Sequence, residues 1–560
     1  MTIPTWWLDA VVYQIYPRSF ADANGDGIGD LPGVVAKLDY LQWLGITAIW
    51  FSPFYPSPQF DVGYDIADYT DIAPEYGTLT DFDRLRAEAH RRGIRIILDL
   101  VLNHTSHQHK WFIESKSSRV NPKRDWYIWR DGQGHNPPND WESTFGGPAW
   151  EYDPITGQYY YHFFYVEQPD LNWRNPAVQE AMYNVVRFWL DRGVDGFRLD
   201  AIGTLFEVED LRDANAGVTM DELMTNIFTR RYDSEIGKLF ARKVRYQVDL
   251  PEVKTILQQL RRVNDECTER ILLGETEDIR YYGDGSDMLH SVFNFDLTKL
   301  EQLDPAAIRK LLNKRWSRLP AGVWEANTVG NHDRPRSMTV YADGRHDRER
   351  EQAALAMTLF LRGAPVFYNG EEIGMRNIQL TDIAAFRDQI GLWAYGEAQK
   401  HGFTPEQALA IANQVSRDKG RSPMQWENAP NGGFSPAGIQ PWLPVHPNYA
   451  DGVNVADQRQ DETSLLHTFR RMIQTRQEHI ALRRGELEWI PAKQSGKALA
   501  FWRKHADETC FVALNMSAQT TTVKAPGAEK LRLVFSTHEP QVSPGQIVLP
   551  PYAVVVAVKE

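Results

Sequence analysis

Strand-like apolar runs alternate with amphipathic helical runs through most of this 560-residue chain, and that alternation predicts an α/β fold with a parallel sheet. Eight such units closing on themselves make a (β/α)8 TIM barrel, although a doubly wound open sheet shares the same local pattern. Two further observations shape the expectation. One long aperiodic stretch interrupts the rhythm after the third strand. After residue 486 the helical runs give way to short alternating strands, the texture of a C-terminal antiparallel β-sandwich.

The elements follow in order. Residues 11–16 (VVYQIY) form the first strand. Val34, Leu38 and Leu41 fall at helical spacing within 34–44, and Gly45 is a usual helix stop. Residues 48–51 (AIWF) are the second strand, 81–92 a helix, and 95–100 the third strand. Residues 105–173 are rich in Trp, Tyr, Asn, Pro and Gly without helical period, so they read as an inserted subdomain B, a length of loop that usually serves function. The alternation resumes with helix 176–191, strand 196–199, helix 253–266 and strand 271–273. Weaker strands follow at 291–295 and near Val329, and helix 350–361 leads into strand 365–368. Residues 374–447 read as irregular, and 464–476 as a helix. The expected domains are therefore a barrel over 1–104 and 174–485, subdomain B over 105–173, an irregular subdomain about 374–447, and a β domain over 486–560.

Composition narrows the function classes. The chain is 42% hydrophobic and 24% charged, a folded rather than a disordered protein. A net charge of −13 argues against nucleic-acid and anionic-membrane partners. The 18 Trp suit a protein that handles flat apolar faces such as sugar rings. Cys267 and Cys510, the two cysteines, support no disulfide framework. The start lacks the basic and apolar regions of a signal peptide, and no run has the length of a membrane span, so a cytoplasmic enzyme is expected. Oligomeric state is left open.

Candidate chemistry gathers at strand ends, where a barrel carries its catalytic groups. The third strand ends in DLVLNH, with Asp99, Asn103 and His104. The fourth ends in GFRLD, where Arg198 and Asp200 share one face because side chains alternate with period two. The fifth ends in GETE, with Glu275, and the seventh in GNHD, with His332 and Asp333. Three carboxylates, two histidines and an arginine converging on one cavity are costly to bury without a purpose.

In these motifs, and in VVYQIYPRSFADANGDGIGDL, GYDIADY, QPDLNW, GAPVFYNGEEIGM and RSPMQW, the chain resembles the α-amylase family, glycoside hydrolase family 13. The likeness is greatest to its α-glucosidase and oligo-1,6-glucosidase members and spans nearly the full length. It implies a retaining, exo-acting α-glucosidase with Asp200 as nucleophile, Glu275 as general acid/base and Asp333 as transition-state stabiliser. A retaining glycosidase sets its two carboxyls roughly 5–5.5 Å apart, and one carboxyl of such a pair is pushed upward by its neighbour's charge. Arg198 would keep Asp200 ionised, and His104 and His332 would hold glucose hydroxyls. Tyr64 would stack on the sugar ring, Asp61 and Arg417 would close the pocket, and Phe145 and Phe164 would form its wall.

Residues 22–30 (DANGDGIGD) place oxygen ligands at every second position, like the start of an EF-hand loop, but Gly33 stands where that loop needs a bidentate Glu. The resemblance implies a structural Ca²⁺ or Mg²⁺ held by Asp22, Asn24, Asp26, the Ile28 carbonyl and Asp30. It also implies that a Val after the nucleophile favours α-1,6 bonds and a smaller residue α-1,4 bonds. Ala201 stands there, a lean towards α-1,4-linked short oligosaccharides or α-glucosides, with transglycosylation as a companion activity. A trehalose synthase-type isomerase and an oligo-1,6-glucosidase are the alternatives. A non-catalytic amylase-like scaffold is disfavoured because all three carboxylates are present.

Overall fold

A computed structural model of the chain describes residues 3–223, 234–525 and 527–560. The barrel begins with β1 (Val12–Ile15), β2 (Ala48–Phe51) and β3 (Arg95–Val101). The chain then leaves it for a small antiparallel sheet, β4 (Trp129–Arg130), β5 (Trp150–Asp153) and β6 (Gln158–Tyr161), ordered β4-β6-β5. It returns as β7 (Gly196–Asp200), β8 (Ile271–Gly274), β9 (Ser291–Asn294), β10 (Ala326–Asn327) and β11 (Ala364–Tyr368). β11 pairs back onto β1 in parallel, so the barrel is closed.

Strand alternation sorts the side chains into two layers. Val12, Ala48, Trp50, Ile97, Leu273, Phe293, Ala326 and Val366 fill the barrel interior, which Trp7 of the short helix Thr5–Asp9 joins. Ile49, Leu98, Phe197, Leu199 and Phe367 point the other way and pack under the surrounding helices. In β7 this leaves Arg198 and Asp200 on the interior face. Gly196 starts that strand at φ 156°, and a Cβ there would lie 2.3 Å from the Ile271 carbonyl oxygen. Glycine is what lets β7 and β8 approach.

The helices start and stop where their ends are satisfied. Asp30 caps Leu31–Leu44 by accepting from Gly33 N at 2.6 Å, and Gly45 ends it in the left-handed region. Asn175 caps Pro176–Asp191 through Ala177 N at 2.9 Å, with Pro at the first turn. Val178, Met182, Val185, Val186 and Trp189 are its buried stripe.

Two expectations change. The strand expected near Val329 is the two-residue β10, because from Thr328 onward the chain turns into the loop that carries His332 and Asp333. The stretch read as irregular contains helices Gln389–Lys400 and Pro405–Val415, packed against each other. Their buried faces are mostly Gly391, Ala394, Ala398, Ala408 and Ala412. Small residues let the helices approach closely but leave a weak hydrophobic period.

The C-terminal unit comprises β12 (Glu486–Trp489), β13 (Ala498–Lys504), β14 (Thr509–Asn515), β15 (Thr521–Lys524), β16 (Leu531–Ser536), β17 (Gln541–Ser543), β18 (Gln546–Leu549) and β19 (Val554–Lys559). Its sheets, β12-β13-β14-β19-β16 and β15-β18-β17, enclose Ala500, Phe511, Val523, Ile547 and Val555. The outer face of the larger sheet joins the barrel's helical layer through Phe501, Val512 and Val556. Arg503 crosses the seam fully buried, donating to the carbonyls of Phe360 at 2.7 Å and Leu361 at 2.9 Å. No described helix is long and apolar enough to cross a membrane.

Helix Asp347–Phe360 buries Glu351 completely, and the Ser337 hydroxyl donates to it at 2.6 Å. Burial pushes this carboxyl up from 4.5 to about 7. A folded value above the unfolded one means that the proton stabilises fully below pH 4.5, and that this stability is lost as pH rises through 7. Glu351→Gln should therefore gain on the wild type between pH 5 and pH 8, by up to roughly 3 kcal/mol. Urea unfolding at the two pH values measures it; a pH-independent difference would refute the argument.

Candidate active site

The C-terminal strand ends meet around Arg198, which is 1% exposed. Its Nη1 donates to Asp99 Oδ1 on β3 at 2.7 Å and to Asp200 Oδ1 on β7 at 2.5 Å, and its Nη2 lies 2.8 Å from Glu275 Oε1 beyond β8. Ala201 N donates to the other Glu275 oxygen at 3.0 Å. One guanidinium thus holds the carboxylates of three strands. Burial pushes Asp99 up to about 6, against the pull of Arg198. Burial also raises Asp200 well above the usual carboxylate range; Arg198 opposes the shift, and Glu275 and Asp99 add to it. Arg198 pulls Asp200 towards the ionised form, while its desolvation pulls the other way.

Asp333 behaves in the opposite way. Burial raises it, but His332, Arg417 and Arg421 outweigh that and hold it well below the usual range. Burial itself pulls His332 down to about 3, so at neutral pH the two arginines supply the effect. Arg421 Nη2 donates to Asp333 Oδ1 at 2.7 Å, and Arg417 Nη1 lies 3.6 Å from the same oxygen. Arg417 also donates to Asp61 at 2.7 Å and to Asp388 at 2.7 Å and 3.1 Å, closing one side of the pocket.

Asp61, Tyr64, His104, Phe145, Phe164, Asp200, Ala201, Glu275, Asp333 and Arg417 line a single cavity of about 150 Å³. His104 contacts Phe164 at 5.3 Å between centroids, and its Nε2 meets the Tyr64 carbonyl at 3.1 Å. Phe145 lies 5.6 Å from Phe164 and stacks on Tyr165 at 4.2 Å. Tyr64 lies nearly parallel to His332, with its hydroxyl tied to Asp99 and His332. Arg198 and His332 sit behind this wall, 1% and 0% exposed.

The catalytic-domain model described as "Alpha amylase, catalytic domain" matches residues 14–485. The oligo-1,6-glucosidase of Parageobacillus thermoglucosidasius is 39% identical over 96% of this chain and 94% of its own length. A probable alpha-glucosidase of Rhizobium meliloti is 40% identical, covering 93% and 91%. The crystal structure of the trehalulose synthase MutB from Pseudomonas mesoacidophila MX-45 superposes with a TM-score of 0.87 at 34% identity, covering 99% of each chain. The chain belongs to the alpha-amylase family. It is a glycoside hydrolase of that family, with the family's barrel and C-terminal sheets.

In this alpha-amylase-family member, sequence reasoning missed Asp388, Arg421 and Gln168, whose amide donates to Asp61 at 3.2 Å. Arg421 was legible, since it lies in the same RDKGRSPMQW motif as Arg417. Asp388 was not, because it precedes a helix whose period is weak.

The loop 22–30 lies apart from this cavity. Asp22 accepts from Gly25 N at 2.6 Å and Gly27 N at 2.9 Å. Asp30 accepts from Ala23 N, Asn24 N and Gly33 N, and Asp26 from Ile28 N at 2.8 Å. The donor set, three carboxylates with an amide and a backbone carbonyl, is all hard oxygen and fits a Ca²⁺ or Mg²⁺ ion.

Replacing Arg198 by Leu leaves the buried Asp99 and Asp200 and the partly exposed Glu275 facing one another without a cation. The expected loss of stability at neutral pH is roughly 3–5 kcal/mol, and it should shrink on acidification as the carboxyls take up protons. Denaturant unfolding at pH 7 and pH 4.5 checks both statements; a variant as stable as the parent at pH 7 would show that the pairing contributes nothing net.

Proposed function

We propose that this glycoside hydrolase is a retaining, exo-acting α-glucosidase, releasing terminal α-linked glucose from short oligosaccharides or α-glucosides. One observation carries the reading: Arg198 holds Asp200 and Glu275 together on a 150 Å³ pocket that Arg417 and Asp61 close on one side. A pocket of that size, blocked on one side, suits one sugar ring at its end and disfavours a chain running past it.

In this reading Asp200 attacks the anomeric carbon while Glu275 protonates the leaving oxygen. Water, deprotonated by Glu275, then hydrolyses the glucosyl-enzyme. Asp99, Asp200 and Glu275 share one guanidinium, so full ionisation of the set is disfavoured and one proton is readily retained. Double displacement needs that proton on Glu275 and the charge on Asp200, towards which the 2.5 Å bond from Arg198 pulls against the burial of Asp200. Asp333, kept ionised by its arginines, binds sugar hydroxyls as positive charge develops on the ring. His104 holds a further hydroxyl, His332 supports Tyr64 and Asp333 from behind the wall, Asp61 and Arg417 meet the non-reducing end, and Tyr64, Phe145 and Phe164 wall the ring.

Ala201, with its small side chain on the pocket, supports α-1,4 bonds. A second reading, α-1,6 bonds, is supported by the relative named as an oligo-1,6-glucosidase. A panel of maltose, isomaltose, sucrose, trehalose and maltotriose with product analysis separates them. Maltose should yield glucose, released first as the α-anomer. β-Glucose would overturn retention, and trehalose with little free glucose would make the protein an isomerase. Asp200→Ala should lower turnover of an aryl α-glucoside by roughly 10³-fold or more.

Asp22, Asn24, Asp26, the Ile28 carbonyl and Asp30 would hold a structural Ca²⁺ or Mg²⁺. Such an ion would neutralise the loop's carboxylates, and no step of the reaction runs through it. Chelation should lower the melting temperature by several degrees, recovered by one of the two cations. An unchanged melting curve after exhaustive chelation would remove the ion from the proposal.

A further inference from the structure

Gln14 lies on β1, a strand far in sequence from Asp200, Glu275 and Asp333, yet it faces the barrel interior. Val12 sits in the interior cluster, and period two puts Gln14 on the same face, one step nearer the active end. Gln14 is fully buried. Its amide nitrogen is 2.7 Å from His332 Nδ1 and 3.1 Å from Ser52 Oγ. On the other edge of the imidazole, His332 Nε2 is 2.7 Å from the Tyr64 hydroxyl and 3.3 Å from Asp333 Oδ2.

These contacts decide which ring nitrogen carries the proton. The Tyr64 hydroxyl has one proton and donates it to Asp99 Oδ2 at 3.1 Å, so it can only accept from His332. The Asp333 carboxylate, beside the same nitrogen, also requires a donor there. A neutral imidazole has one N–H, which these neighbours place on Nε2. Nδ1 is then a bare acceptor in a buried site, and Gln14 supplies its donor. The orientation of the amide is fixed by the same count. Its nitrogen uses both protons, on Ser52 and His332, and only its oxygen lacks a partner among the described residues. Reversing the amide would strand two buried donors, which is the costlier error.

We infer that Gln14 is a positioning residue: together with Tyr64 and Asp333 it fixes the Nε2-protonated tautomer of His332, so that this N–H is aimed at Tyr64 and Asp333, the two pocket-lining groups through which it acts on the substrate. The last clause rests on the proposed glucosidase reading; the tautomer does not. Burial first, and then Arg421, Arg198 and Arg417 from two other segments, oppose the protonation of His332, so the ring acts as a neutral donor.

The test uses the full-length enzyme with ¹⁵N-labelled histidine, the His332 signals being assigned by their absence in His332→Asn. The wild-type ring should show Nε2–H with an unprotonated, hydrogen-bonded Nδ1. Gln14→Leu, an apolar side chain of similar size, leaves Nδ1 without its donor: the Nδ1 signal should lose its hydrogen-bond shift and kcat/KM should fall on the order of 10- to 100-fold. Gln14→Glu keeps the shape but offers Nδ1 only an acceptor; it should draw a proton to Nδ1, raise the pH at which His332 titrates and fail to restore activity. An Nδ1-protonated ring in the wild type overturns the inference even if neither variant folds, and so does a folded Gln14→Leu with unchanged Nδ1 signal and kcat/KM. Absence of glucosidase activity in the wild type would overturn the functional reading instead, with the tautomer still readable.

Discussion

A single guanidinium organises the open end of this barrel. Arg198 bonds Asp99, Asp200 and Glu275, which come from β3, β7 and the segment after β8. Those strands are neighbours in the sheet, so the ion cluster spans the backbone ladder from side to side. Trp50 from β2 also lies under Arg198 at 5.2 Å, a cation–π contact that adds a fourth strand. Three carboxylates could not be buried here without that cation, and the cation could not be buried without them. Barrel packing and site geometry are therefore one constraint, met by the same four side chains.

A second pair of cations sets the opposite wall. Arg417 and Arg421 come from the segment after β11, and both reach Asp333. The result is a pocket whose carboxylates differ in character although they are the same chemical group. Asp333 faces arginines and stays ionised, while Asp200 shares its single arginine with two other acids and is raised. Unequal environments for like groups are how an enzyme assigns acid, base and electrostatic roles at one pH. Here the inequality is traceable to how many cations each carboxylate can reach.

How much of this was legible in the sequence follows from how local each signal is. Period two within β7 was enough to put Arg198 and Asp200 on one face, and the motifs at the ends of β3, β8 and β10 gave the remaining lining acids and histidines. Subdomain B was visible because its composition has no period. Asp388 and Gln14 were not visible, for the same reason: each acts through a partner in a distant segment, Arg417 or His332, and neither neighbourhood marks it. The helices at 389–415 were missed because Ala and Gly carry the packing there. The direction of the shift on Asp200 could not be read either, since it is the balance of desolvation and the push of Glu275 and Asp99 against the pull of Arg198.

Ala201 shows where local backbone and substrate choice meet. It sits at φ 41° and ψ 41°, in the left-handed region, immediately after Asp200. That conformation turns its N–H towards Glu275, so the peptide that follows one catalytic carboxylate steadies the other. Its methyl group reaches the pocket lining. A β-branched residue in this conformation would carry strain on the order of 1–3 kcal/mol, relieved by turning the peptide away from Glu275. A larger side chain at this position would therefore do two things at once: narrow the space beside the scissile bond and loosen the anchor of the acid/base. Substitution at residue 201 is then a matter of backbone geometry as much as of side-chain size.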